Sequence, residues 1–203
     1  MSKIITISRQ FGSGGGEIGK KLATDLNIPF YDKSIINIAA KDSGFSEDIL
    51  EYSEEMPINS LLYSIATGNG IGGIGLTGLP LGDKLFLAQF DAIKKIAAEG
   101  PCVLIGRCAD YVLNDMDNVI NIFIHADIDK RIERISKTHS LSAEEAKKKI
   151  DKVDKRRAAY YYHYTLEKWG TVTRYDLCIN SSTLGVEKTA AAIKHFIDAC
   201  EKN

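Results

Sequence analysis

Residues 3–23, KIITISRQFGSGGGEIGKKLA, join three patterns: an apolar run of strand length, a loop with glycines at 12, 14, 15 and 16, and the opening of an amphipathic helix whose apolar positions are Ile18, Leu22 and Ala23. Glycines let a backbone bend so that successive N–H groups face one anion, and the positive end of the following helix dipole adds to the attraction. A strand running into such a loop is the layout that cradles a phosphate chain. Gly12, Ser13, Gly14, Gly15 and Gly16 are therefore the residues expected to hold it.

The phosphate-loop pattern G-x-x-x-x-G-K-[ST] can be laid on this stretch in two registers. Read literally, Gly14, Gly19, Lys20 and Lys21 complete it up to the lysine, but that lysine falls a turn or more into the helix, where Lys20 reads as solvated. The structural register puts Gly14 at the final glycine, Gly15 at the lysine position and Glu17 at the Ser/Thr position. Both side chains that serve catalysis are then missing. A single charge about 4 Å from a phosphate is worth about 4 kcal/mol at an effective dielectric near 20, roughly a thousandfold in rate. Arg9, on the bend between strand and loop, is the nearest cation able to turn back toward the anion; the alternative is an ordinary ion pair or an exposed arginine. Glu17 helps only through a metal ion, or else is an acidic residue suited to the first turn of a helix.

Outward from this stretch, apolar runs of strand length recur at 101–106, 119–125 and 175–180, with a shorter one at 28–32. Helical patterns fill the gaps at about 15–26, 33–52, 83–99, 127–165 with interruptions, and 185–200. The alternation predicts α/β. Continuous apolar strands imply burial on both faces, hence a parallel sheet flanked by helices, with ligands at the carboxyl ends of the strands. Residues 67–82, TGNGIGGIGLTGLPLG, contain seven glycines and read as a long loop, either a binding loop or disorder without function. Residues 142–165 read as a charged helix ending in Tyr160, Tyr161, Tyr162 and Tyr164, a cluster that packs on the core, stacks on a base or meets a second subunit in a homodimer.

The 203 residues suit one compact domain, and 44% hydrophobic with 26% charged is an ordinary globular composition. A formal net charge of −1 excludes nucleic-acid binding by bulk electrostatics. No apolar run reaches membrane-spanning length and no leader pattern stands at the start, so a cytoplasmic protein is expected. Cys102, Cys108, Cys178 and Cys200 form no C-x-x-C pair and read as reduced and mostly buried rather than as metal ligands.

The order of strand, glycine loop and helix, then FYDKSIINIAA, VLIGRCADYVL, HADIDKRIERI, DKRR and YDLCINSSTLGVEKTAAAI, resembles the cytidylate kinases, most closely their cytidylate kinase-like branch, over nearly the whole chain. The resemblance implies a three-layer P-loop kinase fold with a parallel five-stranded sheet, a helical substrate-binding insert (33–82) and a lid region (138–170) in a single domain. It implies phosphoryl transfer from ATP, with Mg²⁺, to CMP or dCMP. Asp32 in FYDK matches an aspartate of the monophosphate-binding segment, and Arg107 in GRCAD an arginine that holds the acceptor phosphate. Arg131 matches a further phosphate-binding arginine, while Arg134, one turn on, is assigned to solvent. Asp154 and Arg157 match a D-x-x-R pair whose arginine reaches substrate phosphate and whose aspartate helps recognise cytosine; their i, i+3 spacing shares one helix face.

Lys33, Asn37 and Ile38 stand where that family carries a substrate-binding serine and arginine, so together with Gly15 and Glu17 the departures touch acceptor and donor alike. Three readings follow: a nucleotide kinase in which Arg9, Arg107, Arg131 and Arg157 serve catalysis, a nucleotide-binding protein without turnover, and a kinase of another small molecule.

Overall fold

Six residues, Ile4–Arg9, form β1, the central strand of a parallel five-stranded sheet ordered β2-β3-β1-β4-β5. This is a computed structural model, and it describes residues 3–32, 34–35, 37–38 and 79–200. The other strands are β2 (Phe30–Tyr31), β3 (Val103–Ile105), β4 (Val119–His125) and β5 (Leu177–Asn180). β1 is buried from Ile4 to Ser8, which is why its apolar residues run without alternation.

On one face Ile5, Ile7, Val103, Ile105, Ile120, Ile122 and Ile124 meet Ile18 and Leu22 of α1 (Gly15–Leu26) and Ala190, Ile193 and Ile197 of the C-terminal helix. Each fully buried Ile or Leu here contributes about 1.5–3 kcal/mol. On the other face Ile4, Thr6, Ser8, Leu104 and Phe123 are also buried. Phe123 meets Trp169 edge to face and Tyr175 at a tilt, with centroids 5.5 and 5.1 Å away. The remaining helices in chain order are α2 (Leu81–Glu99), α3 (Ala109–Val112), α4 (Ile128–His139), α5 (Ala143–Thr165) and α6 (Ser181–Cys200), with a 3₁₀ turn at Val172–Arg174. The 127–165 pattern is thus two helices, separated where Ser140 takes a left-handed φ of 53° and Ser142 caps α5 in a reciprocal box with Glu145.

α4 and α5 form a hairpin with its own small core, Ile135, Ala146 and Ile150, and Phe11 from the glycine loop packs into it. α6 starts four residues before the 185–200 pattern and kinks at Gly185, where φ is 69°. The chain divides into two compact units, 1–32 with 96–203, and 33–95. In the second unit Phe86 and Phe90 meet edge to face at 6.4 Å and Lys94 lies over Phe90. Ser34, Ile35, Asn37 and Ile38 are helical, at the start of the helix expected at 33–52, while the rest of that helix, the glycine loop expected at 67–82 up to Gly78, and Lys33 lie outside the described residues. Among the described residues no helix is long and apolar enough to cross a membrane.

Candidate functional site

The glycine loop leaves β1 at its carboxyl end and is shaped from within. The Ser13 hydroxyl donates to the Gln10 carbonyl at 2.9 Å and accepts from the Gly15 N–H at 3.3 Å, while Ser181 at the end of β5 donates to the Ser13 carbonyl at 2.6 Å. Gly12 and Gly14 have φ of 82° and 77°, values that strain any residue with a Cβ. Among the described residues the N–H groups of Gly12, Gly14, Gly16 and Glu17 donate to no acceptor. Four donors at one bend and helix start are thus left for a ligand.

Phe11 fixes the loop to the α4–α5 hairpin through two hydrogen bonds, whose partners also pair with each other. Its N–H donates to Asp154 Oδ1 at 2.8 Å, its carbonyl accepts from Arg131 Nε at 2.8 Å, and Arg131 Nη2 pairs with Asp154 Oδ2. The Arg131 side chain is only 7% exposed. The Phe11 ring lies between the Arg157 guanidinium, 5.7 Å from its centroid, and His139, 6.1 Å away. Arg131 and Asp154, expected at substrate, are placed as a bracket on the loop's backbone.

Arg9, Asp32 and Arg107 lie at the carboxyl rims of β1, β2 and β3. Arg9 Nη2 pairs with Asp32 Oδ1 at 3.3 Å. The Arg9 stem crosses Gly15, and its guanidinium fills the notch left by Gly106: Cβ atoms at those glycines would lie 2.6 Å from Arg9 Cβ and 2.2 Å from Arg9 Nη1. Arg157 Nη1 donates to the Arg9 carbonyl at 2.8 Å. Burial, and then the Arg9 charge, push the Arg157 guanidinium down to about 9, against the pull of Asp154 and Asp32. Gly106, Arg107 and Cys108 take successive left-handed φ of 70°, 56° and 55°. Non-glycine residues in this region store of order 1–3 kcal/mol each and cluster at ligand sites.

On the other side of the loop lies a groove of about 440 Å³, lined by Gly12, Ser13, Lys130, Arg134, Ser182 and Gly185 among others. Arg134 is not free in solvent: its side chain is 32% exposed and leans on the loop. Its guanidinium covers Gly14, with Cζ and Nη2 3.2 Å from where a Cβ would be, and Nη1 contacts both Glu17 oxygens at 2.8 and 3.0 Å. The expectation failed because Arg134 shares a helix face with Arg131, and that face is turned to the loop. Phe11, Gly106 and Ser181 also escaped the sequence reading. Phe11 and Ser181 act through contacts distant in sequence, whereas Gly106, directly before Arg107, was visible as a positive-φ candidate.

Of the tyrosines, Tyr161 is buried and donates to Asp110 Oδ2 at 2.8 Å, whereas Tyr162 is 59% exposed. Lys20 is exposed, and all four cysteines are free thiols, with Cys102 and Cys108 buried. Among the described residues no three His, Cys, Asp or Glu side chains group as a metal cluster.

A family model described as the cytidylate kinase-like family matches residues 4–183. A cytidylate kinase of Pyrococcus horikoshii is 27% identical over 197 residues, covering 96% of this chain and 88% of its own. Among solved structures, an uncharacterised protein of Eubacterium ventriosum superposes with a TM-score of 0.73 at 29% identity, over 97% of this chain and 98% of that one. Shikimate kinase of Bacteroides thetaiotaomicron shares the fold at a TM-score of 0.58 and 13% identity, over 98% and 99% of the two chains.

Proposed function

We propose that this chain, which belongs to the cytidylate kinase-like family, is an ATP-dependent nucleotide kinase that transfers the γ-phosphoryl group to a nucleoside monophosphate of the CMP or dCMP type. The observation that carries the reading is the uncommitted set of N–H groups at Gly12, Gly14, Gly16 and Glu17, beside an arginine cluster at the sheet's carboxyl rim. Phosphoryl transfer asks a protein mainly for positioning and charge stabilisation, and both can come from main-chain donors and guanidinium groups.

In this reading the loop amides hold the donor's phosphates with the groove beyond Gly14 next to them. Asp32, Arg107 and Arg157 face the acceptor, whose phosphate oxygen attacks the γ-phosphorus. The bond from that phosphorus to the β–γ bridging oxygen breaks, and its electron pair leaves on ADP. Arg131 and Asp154 keep the loop's curvature. Segment 33–82 serves as the acceptor insert and 138–170 as the lid. Arg157 and Arg9 repel each other at low exposure, so an anion between them relieves a strain that the folded protein carries alone.

Mg²⁺ fits the residues present. It is normally held by one or two carboxylates plus substrate phosphates rather than by an all-protein cage, and Glu17 offers a hard oxygen at the position of the motif's hydroxyl. The ion would neutralise charge on the β- and γ-phosphates. Glu17 would have to exchange Arg134 for it.

The working place of such an enzyme is the cytoplasm, where its thiols stay reduced. Release of ADP is measured with a panel of monophosphates, sugars and other hydroxyl acceptors. Turnover with CMP or dCMP above the rest is expected; no turnover with any acceptor by folded protein and Mg²⁺ refutes the kinase reading. The Glu17–Arg134 pair favours a second reading, a nucleotide-binding protein without turnover, because it ties up the carboxylate that would hold the metal. Calorimetry with ATP separates the two: tight binding without chemistry selects the second.

A further inference from the structure

We infer that Arg9 does the work of the missing loop lysine, and that Gly15 and Gly106 are glycines so that its side chain can reach the transfer point; the inference rests on the kinase reading above. Gly15 is the first residue of α1 and, unlike Gly12 and Gly14, shows no positive φ. Its backbone would accept any residue, and a helix gains from replacing Gly with Ala. Space is the remaining reason. A Cβ at Gly15 would stand 2.6 Å from Arg9 Cβ and 2.8 Å from Arg9 Cγ, so a lysine at position 15 and an arginine at position 9 exclude each other.

The stem therefore runs over the place where the lysine's own stem would start and carries its charge along the loop's inner side. It ends against Gly106, directly before Arg107, with Asp32 on Nη2. Asp32 and Arg107 belong to the acceptor side and Gly15 to the donor side, so the Arg9 guanidinium stands where the two phosphates must meet. Arg157, which donates to the Arg9 carbonyl, brings a second cation to the end of the same strand. A planar guanidinium can bind oxygens of both phosphates at once, which an ammonium does only as a point charge.

Four variants test this: Arg9→Gly, Arg9→Lys, Gly15→Lys and the double Arg9→Gly with Gly15→Lys. Each is read by kcat and KM, by calorimetric affinity for a non-hydrolysable ATP analogue with Mg²⁺, and by thermal unfolding. Removing one preorganised charge donor at a reacting phosphoryl group is expected to lower kcat about a hundredfold or more in Arg9→Gly. Arg9→Lys keeps part of that rate. Gly15→Lys alone weakens analogue binding at least tenfold, because the two stems collide.

The double variant regains at least tenfold of the kcat lost in Arg9→Gly, since lysine enters the space the arginine leaves. An Arg9→Gly enzyme within threefold of wild type in both kcat and analogue affinity overturns the inference and leaves the kinase reading standing. So does a folded double variant no better than Arg9→Gly, and if the double variant unfolds, an Arg9→Lys enzyme as slow as Arg9→Gly decides against it. A wild-type protein that binds no ATP analogue instead overturns the kinase reading itself, and this inference with it.

Discussion

Replacing Asp154 with Ala tests whether this residue is a bracket for the loop or a reader of the acceptor base. In the folded chain its two oxygens serve the Phe11 N–H and Arg131, and the Arg131 side chain is 7% exposed. Deleting the carboxylate strands a guanidinium away from water, and breaking a buried pair from one side costs about 3–5 kcal/mol. The orphaned Phe11 N–H is part of that cost. For a chain of this length the melting temperature should drop by about 6–20 °C. Urea unfolding gives the free energy, provided the m-value stays that of wild type.

The double variant Asp154→Ala with Arg131→Met also removes the stranded charge, so it should be less destabilised than Asp154→Ala alone. A base-reading aspartate predicts another pattern: a KM for the acceptor that rises steeply while stability moves by less than about 1 kcal/mol, the level of an exposed ion pair. That result, or a double variant worse than the sum of the two singles, would refute the bracket.

Three further outcomes follow from the same geometry. Asp110 is buried and its pKa is raised from 3.8, mainly by burial, against the lowering effect of the Tyr161 hydrogen bond. The folded state then binds more protons than the unfolded state between 3.8 and the raised value, so stability falls as pH climbs through that window; Asp110→Asn should remove the slope, and parallel wild-type and variant curves would count against it. Gly106→Ala meets a φ of 70° and puts a methyl 2.2 Å from Arg9 Nη1, which should cost about 1–2 kcal/mol of stability and a much larger share of turnover, checked by melting and kcat together. Glu17 is 59% exposed, so Glu17→Ala should change stability by less than about 1 kcal/mol, while the ATP analogue's affinity should lose most of its Mg²⁺ dependence; an unaltered Mg²⁺ dependence in calorimetry would remove Glu17 from the metal's ligands.

The sheet was readable because each strand carries its own evidence. VINIFIH and KIITIS are too short and too β-branched to be anything but buried strands, and the glycine loop after the first strand stands at the carboxyl rim of the sheet. The helix after the loop was readable too, since Ile18, Leu22 and Ala23, spaced to share one helix face, are the residues that α1 buries. What Arg131, Asp154 and Arg134 touch was not. Arg131 meets Phe11 across 120 positions and Arg134 meets Glu17 across 117, and charges on an amphipathic helix look alike whether they face water or a loop. Asp154 was assigned to substrate from a resemblance, and resemblance fixes where a residue stands in the chain rather than which of two neighbours its carboxylate prefers. The bracket needed the hairpin's position, which Phe11 sets by burying its ring between α4 and α5.

Moving a cation from the loop to the strand changes what the loop has to be. A lysine on the loop rides on the segment that must bend around the ligand, whereas Arg9 is the last residue of β1 and sits in register with Ile124 of β4, inside the most cross-linked part of the sheet. Its charge is therefore placed before any ligand arrives, and Asp32 holds the guanidinium in one orientation, so less entropy remains to be lost at the moment of transfer. The loop is correspondingly reduced largely to backbone, with glycines at 12, 14, 15 and 16, a buried serine that shapes the turn, and two anchors, Phe11 on the α4–α5 hairpin and Gln10, whose Oε1 accepts from the Ala126 N–H at 3.2 Å. A bare loop of this kind offers a ligand main-chain N–H groups rather than side chains. In the proposed reading, selection among acceptors falls to Asp32 and Arg107, and discrimination among donors to the groove that Arg134 borders.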